Sequence, residues 1–126
     1  MSNHTQKEVL EWVRTTFGES FLNDRERALR FIEESIELVQ AIGLTSSDVV
    51  SILHHVYGRP VGDYSKEMGG VMITLEAMAE HLGVDLNRQS CLEWARVNDL
   101  PQSHFDAASE RKQQAGVCNV QDPKEA

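Results

Sequence analysis

Apolar residues recur at three- and four-residue intervals along nearly the whole 126-residue chain, and no stretch alternates apolar with polar residues for long enough to argue a strand. This pattern restricts the fold to packed helices. A first helix is expected over residues 5–17, with Val9, Leu10, Trp12, Val13 and Phe17 on one stripe and Gly18 ending it. A second begins at the cap residue Asn23, with Glu26 placed to reach back in a capping box, and stops at Gly43 after Ile42. Its apolar set of Ala28, Leu29, Phe31, Ile32, Ile36, Leu38, Val39 and Ile42 covers a wider arc than a helix lying on a surface requires. That helix is expected to be central and buried between subunits. The caps Thr45-Ser46-Ser47-Asp48 open a third helix ending at Gly58, and Arg59-Pro60-Val61-Gly62 reads as a loop. A fourth runs from residue 63 or 65 to Leu82, a fifth from Asp85 to near Leu100, and a weaker sixth over residues 103–115. The expectation is one all-α domain over residues 1–115, followed by a flexible tail over residues 116–126.

Charge narrows the partners. Twelve Lys and Arg stand against twenty Asp and Glu, a formal net charge of -8, which disfavours sequence-independent binding to phosphate backbones and a basic membrane-surface role. A helix-turn-helix reading of residues 39–53 fails for the same reason, because residues 45–57 hold no Lys or Arg and do hold Asp48. No apolar run approaches the ~20 residues that span a bilayer, and the start lacks the pattern of a signal peptide. Cytoplasmic location is expected. Cys91 and Cys118 have neither a CxxC neighbour nor a histidine at ligand spacing, so both read as free thiols. His54 and His55 are adjacent and point apart, Trp12 and Trp94 suit core or interface packing, and Met68, Met72 and Met78 read as core filling.

The acids are not evenly spread. Glu33, Glu34 and Glu37 fall within about one and a half turns of the second helix, on the arc opposite its apolar face. Carboxylates so spaced repel one another and supply the hard oxygen ligands that Mg²⁺ or Mn²⁺ takes. Spacing alone favours a solvated face, with Arg27 and Arg30 one turn earlier as partners. Glu67, near the start of the fourth helix and followed by Gly69 and Gly70, would approach the triplet if the second and fourth helices packed antiparallel.

Glu33-Glu34-x-x-Glu37, then Glu67 three residues before position 70, then an apolar helix ending Leu82-Gly83-Val84-Asp85-Leu86, resembles the MazG-like branch of the all-α NTP pyrophosphohydrolases over residues 26–97. The resemblance implies a helical bundle whose core is completed by forming a homodimer or homotetramer. It implies Mg²⁺-dependent hydrolysis of nucleoside triphosphates to monophosphate and pyrophosphate, with Mn²⁺ as an alternative cation. By the same resemblance Glu34, Glu37 and Glu67 are metal ligands and Glu33 is a further ligand or the base that orients water. Arg30 and Arg96 stand where phosphate-binding Lys or Arg occurs. Asp63 is a substitute ligand or only a cap. The family pattern has Asp at the position of Gly70, so this chain lacks one ligand. Three readings follow: a pyrophosphohydrolase with a variant site, a non-catalytic MazG-like binding or interaction module, and a bundle that binds a divalent cation without turnover.

Overall fold

The computed structural model describes residues 4–119, and among them all regular structure is helical. We label the helices α1 (Gln6–Phe17), α2 (Asp24–Ile42), α3 (Ser46–Tyr57), α4 (Tyr64–Leu82), α5 (Leu86–Asp99) and α6 (Gln102–Gln114). A 3-10 turn, Glu19–Phe21, joins α1 to α2 and was not anticipated from the sequence. The described residues group into two compact units, one made of residues 4–44 with 98–119 and the other of residues 45–97.

In the first unit α1 packs on α6. The Thr5 hydroxyl accepts from Glu8 N at 3.1 Å and starts α1. Gly18 turns the chain with φ +97°, a conformation that excludes most side chains. Val13 and Phe105 are buried, and Phe105 meets Trp12 and Phe17 edge-on, with ring centroids 5.3 and 5.7 Å apart. Phe21 extends the cluster at 5.5 Å from Phe17. Edge-to-face rings add to area burial, so the aromatic residues of α1 and the short turn fasten α6 here. Trp12 therefore takes the packing role expected of it.

Asn23 caps α2, its Oδ1 accepting from Glu26 N at 2.8 Å. The Glu26 carboxylate does not complete the expected capping box. It lies 3.4 Å from Arg30 Nε and accepts from Asn119 N at 3.5 Å, because an arginine one turn along offers a charged partner in place of a neutral amide.

In the second unit Thr45 and Asp48 do form a capping box at the start of α3. Asp63 caps α4, its Oδ1 accepting from Ser65 N at 3.3 Å. Gly83, at φ +71°, lets Val84 N reach back to Ala79 O at 2.9 Å, and Asp85 Oδ1 accepts from Arg88 N at 3.0 Å to start α5. Ala79 and Cys91 are its buried residues. Met68 and Met72, read from the sequence as core, are 65% and 54% exposed. A methionine fills a core only where a second surface meets it, and among the described residues of this unit none covers these two. His54 and His55 are exposed, as a surface role requires.

Candidate functional site

Helix α2 presents two faces, and over its N-terminal half the chain covers the polar one, while Glu34 and Glu37 further along stay exposed. Along the apolar arc Phe31 and Ile32 are 55% and 53% exposed, and Ile36, Leu38 and Ile42 are also open to water. Glu26, on the polar arc, is 1% exposed and is the buried residue of this helix. The first turns of α2 therefore set buried charge against exposed Phe31 and Ile32, the reverse of an ordinary surface helix.

What lies over the polar arc is α6 and the segment after it. Arg30 stands 3.4 Å from Glu26 and 3.3 Å from Glu33, and Glu33 also pairs with Lys112 of α6 at 3.3 Å. Arg30 Nη2 donates to the Val117 carbonyl. Asn23 Nδ2 donates to Asn119 O at 2.9 Å, and Asn119 Nδ2 to Asn23 Oδ1 at 3.4 Å. Residues 117–119, expected as the beginning of a flexible tail, are thus held on the N-terminal half of α2. Arg27, next to this network, has its guanidinium pKa pushed down, first by burial and then by Arg30, against the opposing pull of Glu26.

The expected site residues divide between the two units. Glu33, Glu34 and Glu37 ride on α2, with Glu34 and Glu37 exposed and Glu33 half-buried in its pairs with Arg30 and Lys112. Glu67 belongs to the other unit, exposed in the first turn of α4. Its side chain folds back over Gly62, where an added Cβ would stand 2.6 Å from Glu67 Oε1. Gly70 has open space at its Cβ position, with nothing within 4 Å. Asp63 is the α4 cap, and that role uses its carboxylate. Arg96, on α5, grips Glu93 through Nε at 3.0 Å and Nη2 at 2.5 Å, which holds the Glu93 carboxyl below the usual range.

Glu34 and Glu37 suit a hard divalent cation in donor chemistry and spacing. Among the described residues no three His, Cys, Asp or Glu side chains gather closely enough to hold a metal ion, so the acidic ridge of α2 needs further ligands before it can enclose one. Three residues of the network escaped the sequence reading. Glu26 carried a signal, its i,i+4 spacing to Arg30. Lys112 and Asn119 carried none, because their partners are far away in the chain.

Compared with protein-family models, with curated proteins and with solved structures, the chain gives no significant match in any of the three.

Proposed function

We propose that this chain is a Mg²⁺-dependent nucleoside triphosphate pyrophosphohydrolase that cleaves between the α and β phosphates and works as a homodimer or homotetramer. The observation that carries the reading is the state of α2: two exposed carboxylates, Glu34 and Glu37, on a helix whose apolar arc also faces water. The acid supplies cation ligands, and the open arc supplies a reason for a second copy to bring more of them. Glu34, Glu37 and Glu67 would hold the cation, which when bound neutralises triphosphate charge and lowers the pKa of a water. Glu33, braced by Arg30 and Lys112, would accept a hydrogen bond from the attacking water and orient it. Arg96 would reach a phosphate oxygen by exchanging Glu93 for it.

The test is pyrophosphate release from a panel of deoxynucleoside triphosphates with Mg²⁺ or Mn²⁺, beside a Glu37→Ala control. The reading expects turnover in the native chain and at least a hundredfold loss in the control. Release that survives the substitution would refute the assignment of Glu37.

Gly70 favours a second reading, a non-catalytic module of the same fold. Because space at the Gly70 Cβ is open, Gly70→Asp adds a carboxylate without a packing clash. A large gain of turnover from a negligible background would assign the native chain to this second reading. A rise in melting temperature with Mg²⁺ but no turnover in either form would leave only cation binding.

A further inference from the structure

The strongest feature outside the proposed chemistry is the C-terminal segment laid on α2. Gly116, at φ +71°, ends α6, and Val117 N bonds back to Lys112 O at 3.0 Å, so the chain reverses toward α2 within a single turn. From there every anchor named above is polar: Val117 O on Arg30, Asn119 O and Nδ2 on Asn23, and Asn119 N on Glu26. Val117 itself is 43% exposed and Cys118 is half-buried, so little apolar burial contributes to the hold. A few hydrogen bonds, each modest in net value, stand against the entropy of ordering three residues, and the two nearly balance. Docking is therefore poised.

The anchor that matters is Arg30. Its guanidinium joins the segment to Glu26 and Glu33 at once. A guanidinium meets a phosphate as an ion pair through two parallel bonds, whereas a backbone carbonyl offers it one neutral acceptor. Nε already faces Glu26 and Nη1 faces Glu33, so Nη2, held by the Val117 carbonyl, is the nitrogen an incoming anion would compete for.

We propose that residues 117–119 form a releasable latch, docked on α2 through Arg30 and Asn23, and that a phosphate-bearing ligand releases it by taking Arg30 from the Val117 carbonyl. The ligand class rests on the proposed function; the latch does not. Release also ties substrate arrival to Glu33, because Arg30 can turn to the phosphate only by loosening its pair with that carboxylate.

The chain carries its own reporter. Cys118 sits inside the latch, and Cys91 is buried in the other unit as an internal control. Alkylation of each thiol by a small maleimide is followed by peptide mass spectrometry on the full chain, for the native sequence, Asn119→Ala and Arg30→Gln. Both variants are expected to speed Cys118 labelling several-fold while Cys91 stays protected. Millimolar pyrophosphate with Mg²⁺ is expected to speed Cys118 in the native chain beyond Mg²⁺ alone, and to change nothing further in Arg30→Gln. Equal Cys118 rates in all three chains would overturn the latch. Variants that respond beside a native chain that ignores pyrophosphate would overturn its release by phosphate. Absence of triphosphate turnover, by contrast, counts against the proposed activity and leaves the variant labelling result standing.

Discussion

Removing Phe31 and Ile32 from α2 tests whether its open apolar arc is an association surface. Each side chain is just over half exposed, which leaves on the order of 100 Å² apiece to be covered and about 2.5 kcal/mol to be gained at ~25 cal/mol per Å². Truncation to alanine forfeits somewhat more than half of that, about 1.5 kcal/mol per side chain. Two side chains in each of two copies related by a two-fold axis bring the upper bound to ~6 kcal/mol, and half-efficient burial gives ~3 kcal/mol, more than a hundredfold in dissociation constant. Sedimentation equilibrium across micromolar concentrations reads the difference directly. The native chain is expected at twice its 14.2 kDa mass or a higher multiple, and the Phe31→Ala, Ile32→Ala double variant at a lower mass at the same concentration. Circular dichroism checks that the helices persist. A native chain that sediments as a monomer, or a double variant that associates equally well, would refute the reasoning.

Other perturbations give separate outcomes. Glu26→Ala leaves Arg30 without its most buried partner and is expected to cost about 3 kcal/mol, the low end for breaking a buried pair because Arg30 retains Glu33; thermal melting should fall by several degrees, and Glu26→Gln, which can still accept from Asn119 N, should fall less. The Asp48 carboxyl is held below its ordinary value of 3.8 chiefly by the Thr45 backbone N–H and then by the Thr45 hydroxyl. Since its folded-state pKa is the lower one, the cap contributes fully above the unfolded value and is lost as pH falls through the folded value; Thr45→Ala removes only the hydroxyl and should raise the Asp48 titration, followed by NMR, part of the way, the retained backbone N–H keeping it below 3.8. Asn23→Ala removes both the α2 cap and the Asn119 link, and a loss of about 1 kcal/mol from the cap alone should appear in denaturant melts.

Element boundaries were legible because they are written in local chemistry. Thr5, Asn23, Thr45 and Asp63 each accept a backbone N–H at a helix start, and Gly18, Gly43 and Gly83 each take a positive φ at a helix end. Such signals need only neighbours in sequence. The face that α2 turns to its own chain was not legible, because periodicity shows that a helix has an apolar side without showing whether its own chain or another molecule covers it. The same limit applies to the acidic triplet. Its clustering and its order relative to Glu67 are visible in sequence, whereas the capture of Glu33 by Lys112 and of Arg30 by Val117 depends on α6 returning to α2. Met68 and Met72 show the converse: helical spacing marked them as apolar-face residues, and among the described residues of their own unit no surface covers them.

The central claim, that the ridge of α2 directs hydrolysis between the α and β phosphates, is tested most directly by ³¹P NMR of a deoxynucleoside triphosphate incubated with the full chain and Mg²⁺. Monophosphate and pyrophosphate should grow in equal amounts with no diphosphate, and neither should form with Glu37→Ala. Accumulation of diphosphate and inorganic phosphate, or triphosphate left intact across the whole panel of bases and both cations, would contradict it.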